Sequence, residues 1–271
     1  MGLNKTGYAG EGIDITRVVN DLLDSARSRG WVLEPLALSD RPPVWTLVRR
    51  SAGACGKVYL STGMHGDEPA GPLAMSRLIE ADRWPQGLDL WVCPCLNPTG
   101  FPLNRRENRD GVDLNRDYLN PSAEEVKAHI AWLERQPDFD AAFCLHEDWE
   151  SHGFYLYELS LGRLPSLAES MIRAAEEVCP IDLSEEIEGR AARGGVIRPT
   201  ADAMTRVHWP EAFYLLQRKT QTSYTLEAPS DFVLEVRVAA LVKATEAALA
   251  MVSRTLSSPS ETQVATRHGA S

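Results

Sequence analysis

The sequence predicts an α/β fold, a mixed, largely parallel sheet with helices on both faces, arranged in three layers. Three observations carry that expectation. Apolar runs of strand length alternate with segments of helical periodicity along most of the 271 residues, the pattern of a sheet covered by helices. The run Lys57-Val58-Tyr59-Leu60-Ser61-Thr62-Gly63-Met64 reads as a buried strand. Finally, three separate strands end in a polar residue able to do chemistry: Met64 runs into His65, Leu145 into His146 and Leu226 into Glu227. Ligands of open α/β sheets bind at the carboxyl ends of strands, so residues far apart in sequence meet there.

The elements follow in order. Ile13 to Arg29 has apolar residues at helical spacing (Ile15, Val18, Val19, Leu22, Leu23) and stops at Gly30, a helix with a glycine terminator. Trp31 to Leu36, Val44 to Val48 and Val58 to Met64 read as strands. Ala70 to Glu80 reads as a helix, with Pro69 at its start and Pro72 in its first turn, where proline is tolerated. Leu88 to Leu96 is the next strand. Asn97 to Asn120, rich in Asn, Arg, Asp, Gly and Pro, is too long for a simple connection and is a candidate functional loop. Ser122 to Arg135 opens with Ser122-x-x-Glu125, a capping-box signature, and reads as a helix.

Beyond it, Phe139 to Leu145 and Phe154 to Leu159 read as strands and Leu164 to Val178 as a helix. Residues 180–210 show no clear period and are expected to form loops on the substrate side. Ser223 to Leu226 is a short strand, and Phe232 to Leu256 a long amphipathic helix. The Ser/Thr-rich stretch 257–271 has little to bury and is expected to be a disordered tail. One catalytic domain over residues 1–256 is therefore expected.

Composition narrows the function. Hydrophobic content of 44% with 24% charged residues is that of a soluble globular chain. A formal net charge of −10 argues against a phosphate-backbone binder, so no nucleic-acid partner is expected. No window approaches a membrane span and the N-terminus has no continuous apolar core, so no membrane partner is expected either. The five cysteines Cys55, Cys93, Cys95, Cys144 and Cys179 sit mostly in apolar runs, as buried thiols in a reducing compartment would, and a cytoplasmic protein is expected.

The chemistry begins at His65-Gly66-Asp67-Glu68. A strand entering a glycine-containing turn fans its side chains outward, so an imidazole and a carboxylate three residues apart can converge on one point. Zinc accepts both ligand types; a catalytic zinc site takes a third protein ligand and keeps one position for water. His146 at another strand end supplies a candidate third ligand, with Glu147, Asp148 and His152 close by as alternatives.

Together with Arg105-Arg106-Glu107-Asn108-Arg109-Asp110-Gly111-Val112-Asp113-Leu114-Asn115-Arg116, the order His-x-x-Glu, Arg…Gly-Val-Asp-x-Asn-Arg, His, Glu resembles the zinc metallocarboxypeptidase family, carboxypeptidase A-like, over roughly residues 55–235. The pattern is similar to that of bacterial murein-peptide amidase-type members. The resemblance implies that His65, Glu68 and His146 bind one zinc ion, that Glu227 is the general base, and that Arg106 polarises the scissile carbonyl. It further implies that Asn115 and Arg116 hold the terminal carboxylate of the substrate and that Asp113 orients the first zinc histidine. These roles suit the residue types: a carboxylate can relay a proton, a fixed guanidinium stabilises an oxyanion, and its fork matches a carboxylate. Arg105 and Arg109 are the alternatives to Arg106. The substrate-capping tyrosine of the family stays open among Tyr155, Tyr157, Tyr214 and Tyr224.

The expected activity is zinc-dependent hydrolysis of the C-terminal amide bond of a peptide, including a cell-wall-type peptide, on a substrate with a free carboxylate. One rival is an N-acyl-amino-acid deacylase of the related succinylglutamate desuccinylase and aspartoacylase type. Members of that group carry a β-rich domain after the catalytic glutamate, whereas 44 residues follow Glu227. The other rival is a non-catalytic binding module with the same fold, against which Arg106 and Glu227 beside a full ligand set argue.

Overall fold

Apolar strands too hydrophobic to face water set the middle of the molecule. The structure, a computed structural model, describes residues 11–162, 164–199 and 205–257. Its strands are β1 (Val32–Leu36), β2 (Val44–Arg49), β3 (Gly56–Thr62), β4 (Leu88–Cys93), β5 (Ala141–Asp148), β6 (Tyr155–Ser160), β7 (Glu186–Ile187), β8 (Arg190–Arg193), β9 (Val196–Ile197) and β10 (Thr222–Pro229). They form one sheet in the order β1-β2-β4-β3-β5-β10-β6-β9-β8-β7. Every residue of β4 and β5 is buried. The central strands β4, β3, β5 and β10 pair in parallel, while β1, β2 and β6 join them antiparallel. The mixed α/β sheet is as the sequence predicts, with most of its parallel pairing in this central group and one further parallel pair between β6 and β9.

Alternation along those strands divides the core into two layers. Val58 and Leu60 of β3, Phe143 and Leu145 of β5, and Leu226 of β10 pack against α1 (Ile15–Ser28), α2 (Ala70–Ala81), α4 (Ala168–Glu176) and α6 (Leu234–Ser257). Tyr59, Trp91, Ala142 and Cys144 point the other way, toward α3 (Glu124–Glu134) and α5 (Glu211–Arg218). Helices thus cover both faces. Among the described residues, no helix is long and apolar enough to cross a membrane.

Local signals explain most helix ends. The Asp14 carboxylate accepts Arg17 N–H at 3.0 Å and caps α1, and Gly30 beyond its end has φ +77°, a backbone state glycine adopts without strain. The amide of Ala70, an orphan donor of the first turn of α2, bonds the buried Glu147 carboxylate at 2.5 Å. The other oxygen of Glu147 accepts Arg237 Nη1 of α6, also at 2.5 Å, so one ion pair fastens two helices to β5.

Several expectations are corrected. Ser122 and Glu125 do not form a capping box. Ala123 precedes α3 with no side-chain cap, the Ser122 hydroxyl bonds Asp117, and the buried Glu125 carboxylate faces Arg41 and Asn108 instead. Helix α4 starts at Ala168 rather than Leu164. The loops expected over 180–210 include the short strands β7–β9, and α5 was not anticipated. His146 and Glu227 lie inside β5 and β10 rather than past their ends, directly opposite each other in register. Helix α6 runs through Ser257, and the tail expected after it lies outside the described residues.

Candidate metal centre

Strand β3 ends at Thr62, and Gly63, at φ +63°, turns the chain at a point where an added Cβ would stand 3.1 Å from the Cys95 backbone. That bend brings His65 and Glu68 back over the sheet edge toward His146 of β5. One ligand atom from each of the three buried residues lies within 4.8 Å of the others, and the imidazole centroids are 5.0 Å apart. The His146 Nδ1 is 2.9 Å from one Glu68 oxygen, and the His65 Nδ1 bonds the other. Burial pushes the Glu68 carboxyl up, but the two imidazoles outweigh it and hold Glu68 well below the usual carboxylate range.

Two nitrogens and one carboxylate aimed at a common point form a donor set that suits zinc with one position left open. A structural reason accompanies each orientation. The backbone N–H of Glu147 steadies a Glu68 oxygen at 3.2 Å. Behind His65, the Asp113 carboxylate lies 3.5 Å from Nε2, the far side of the ring from Glu68, too far for a hydrogen bond but close enough for its charge to favour a proton on that nitrogen. The alternatives to His146 are otherwise engaged or outside the triad: Glu147 is committed to Arg237 and α2, Asp148 accepts the Tyr155 hydroxyl, and His152 is exposed.

The same reading separates the arginines. Arg106 donates Nε to Asp113 at 2.8 Å, and its Nη1 stands 4.0 Å from Glu68, beside the triad. Arg105 bonds the Asn108 carbonyl and Arg109 reaches out to the Asp40 carbonyl. Asp113 holds its own loop as well, accepting the Asn115 N–H at 2.9 Å. Burial raises its carboxyl, but His65 and Arg106 offset this and leave it far below the ordinary carboxylate range.

All eight residues singled out by the sequence come together: His65, Glu68, Arg106, Asn115, Arg116, His146 and Glu227 line one cavity of about 430 Å³, and Asp113 stands behind it on His65 and Arg106. Glu227 is half-buried beside His146 on the neighbouring strand, and loss of solvent pushes its carboxyl well above the ordinary value. Arg116 is exposed, its guanidinium bonded among the described residues to the neighbouring Asn115 carbonyl at 2.8 Å.

The tyrosines sort themselves by layer. Tyr224 is buried, donating to Glu158, and Tyr214 packs against Tyr118 in the core, so Tyr155 and Tyr157 are the two on the cavity. Sequence reasoning placed Glu188 and Arg190 among the substrate-side loops of 180–210 without singling them out as site residues, and they reach the cavity from either side of the β7–β8 turn. The signal was present: Glu188-Gly189 between two short strands, with φ of +53° and +66°, is a two-residue hairpin turn of the Asp-Gly type. It also missed Ala212 and Phe213 of α5 on the cavity wall.

Comparison with known proteins bears out the resemblance. Residues 54–158 match the family model of the succinylglutamate desuccinylase/aspartoacylase catalytic domain. Carboxypeptidase SOL1 of Arabidopsis thaliana is 35% identical over 104 residues, covering 31% of this chain and 21% of that protein. The chain thus spans about a fifth of the length of this curated relative. Among solved structures, a protein described as a metallopeptidase from Shewanella amazonensis superposes with a TM-score of 0.75 at 23% identity, over 88% of this chain and 93% of the other. A metallo-carboxypeptidase from Pseudomonas aeruginosa, solved in complex with (2-guanidinoethylmercapto)succinic acid, gives 0.63 at 22% identity over 89% and 68%. The fold is that of the metallocarboxypeptidases.

Proposed function

We propose that this chain, with its metallocarboxypeptidase fold and its match to the desuccinylase/aspartoacylase catalytic model over residues 54–158, is a zinc-dependent hydrolase that releases the C-terminal residue of a peptide, including cell-wall-type peptides. The observation that carries this reading is one cavity lined by the His65-Glu68-His146 donor set, the Glu227 carboxylate and the guanidinium groups of Arg106 and Arg116. His65 and His146 through Nδ1, with Glu68, would hold the metal. When bound, the metal supplies Lewis-acid polarisation and lowers the pKa of water.

The chain's own residues do the rest. Arg106, kept in place by Asp113, presents its guanidinium beside the triad, where a scissile carbonyl gains negative charge. Arg116 and Asn115 take the free carboxylate of the substrate, which orients the bond for cleavage. Glu227 accepts a proton as water attacks and returns it to the leaving amine. A second reading, an N-acyl-amino-acid deacylase, is favoured by the family model itself, and it uses the same residues on a smaller acyl group.

The deciding experiment offers a panel of free-acid peptides, the same peptides amidated at the C-terminus, and N-acyl amino acids to chelated and zinc-restored protein. Zinc-dependent release of C-terminal residues from free-acid peptides supports the carboxypeptidase reading. Release confined to N-acyl amino acids selects the deacylase, and no zinc-dependent hydrolysis of any member sinks both. Metal analysis of His65→Ala and His146→Ala accompanies it, and wild-type zinc in both would refute the ligand set.

A further inference from the structure

Arg106 and Asp113 are seven residues apart, yet their side chains meet, so the loop between them must fold back on itself. A side chain closes that turn. The amide oxygen of Asn108 accepts the backbone N–H groups of Asp110 and Val112, both at 3.0 Å, while its main chain exchanges bonds with Val112 and Gly111. Gly111, at φ +79°, makes the reversal possible. Unlike the polar surface turns that water satisfies, this one is anchored inside: Asn108 is fully buried.

The anchor comes from two distant elements. Asn108 Nδ2 donates to Glu125 Oε2 of α3 at 3.2 Å, and the other Glu125 oxygen accepts Arg41 Nη1, from the β1–β2 connection, at 3.1 Å. The same Arg41 nitrogen holds Asp110 at 2.8 Å. Glu125 is 1% exposed, and a buried carboxylate persists only with such compensation. From Asn108 the connection runs through the turn to Asp113, whose two oxygens meet Arg106, Asn115 N–H and the His65 ring.

We propose that Asn108, gripped by Glu125 and Arg41, is a positioning residue that sets the Arg106–Asp113 pair against the metal triad; this rests on the hydrolytic reading above. Asn108 touches neither substrate nor the three candidate metal ligands, so it acts through Arg106. Loosening it moves the guanidinium and the Asp113 carboxylate behind His65, while the bonds of His65 and His146 to Glu68 keep the donor set together. A displacement of about 1 Å at a reacting group costs up to about 100-fold in rate.

The test is a kinetic cycle on the zinc-loaded protein: wild type, Asn108→Ala, Arg106→Ala and the double variant, each with zinc content and thermal unfolding measured. Expected are a loss in kcat of about 10- to 100-fold for Asn108→Ala with KM and zinc little changed, and no further loss when Asn108→Ala is added to Arg106→Ala. Multiplying losses in the double variant, or a wild-type kcat for Asn108→Ala, would overturn the proposal. Where Asn108→Ala does not fold, Asn108→Asp keeps the oxygen that closes the turn but sets a carboxylate against Glu125 and so breaks the grip; it must lose kcat with zinc retained, and a wild-type kcat for it refutes the proposal. Should the wild type hydrolyse nothing on the panel, the functional reading fails by itself. Hydrogen exchange then still reads the clamp: Asn108→Ala must speed exchange at the Asn115 amide, which Asn108 does not touch, and unchanged protection there overturns the proposal.

Discussion

The side-chain oxygen of Asn115 accepts the backbone N–H of Glu211 at 2.9 Å, and this one bond decides which end of the amide faces the cavity. Its oxygen is spent on the first turn of α5, whose amides have no partner inside the helix. The amide nitrogen is therefore the group left for a ligand, and it stands beside Arg116 on the same wall. Helix α5, absent from the sequence-based expectation, supplies the bond that makes Asn115 a donor.

That orientation yields a prediction. Asn115→Asp keeps the acceptor for Glu211 N–H but replaces the donor with a negative charge next to the substrate carboxylate. KM for free-acid substrates should rise by a factor corresponding to about 1.5–3 kcal/mol, with zinc content unchanged. Steady-state kinetics on matched free-acid and amidated peptides checks it; an unchanged KM would remove Asn115 from carboxylate binding.

Among the described residues Arg116 forms no ion pair and lines the cavity, so its charge faces the space a substrate would fill. Arg116→Ala should lower kcat/KM for free-acid substrates by roughly 10- to 100-fold, the range of about 1.5–3 kcal/mol for a charge-assisted contact. Amidated peptides, poor substrates already, should lose little more. Equal losses on both sets would contradict the assignment.

A third prediction concerns stability. His129 is fully buried between two tyrosines: its Nε2 lies 2.9 Å from the Tyr59 hydroxyl and its Nδ1 2.7 Å from that of Tyr118. The Tyr59 proton goes to Glu211 at 2.7 Å, so the Tyr59 oxygen accepts from Nε2–H and Nδ1 accepts from Tyr118. Burial holds this neutral imidazole down at about 3. With its folded pKa below the unfolded value of about 6.5, the unfolded chain takes up the proton first. Stability from this group is complete above about pH 6.5 and falls by about 1.4 kcal/mol per pH unit as pH drops toward 3. Urea unfolding at pH 7, 5.5 and 4.5 should show that slope, and His129→Phe should flatten it while lowering stability at pH 7 by leaving two buried hydroxyls short of a partner. Identical slopes would refute the account.

The sequence made the centre of the sheet and the candidate ligands legible because both rest on local patterns. Val58 to Met64 is apolar enough to be a buried strand, and the ligand types follow it at fixed spacing. What escaped it depends on contacts across the fold. Ala212-Phe213-Tyr214-Leu215-Leu216 of α5 is a continuous apolar run inside a helix of only 8 residues, too short for a period to be told from a buried strand. Strands β7 and β9 are two residues long, too short for any alternation. Glu125 has the spacing of a capping residue, but Arg41, 84 residues earlier, offers it a buried ion pair that a helix terminus does not match.

The central claim is that Glu227 does the proton chemistry while His65, Glu68 and His146 hold the metal, and one substitution separates the two. Glu227→Gln preserves size and removes the ability to accept a proton. The measurement is zinc content and kcat of that variant, side by side with the wild type, on a free-acid peptide that the wild type cleaves. The account predicts wild-type zinc and a fall in kcat on the order of 10² to 10⁴. Near-wild-type turnover would contradict the proton role, and loss of the zinc would make Glu227 a ligand instead.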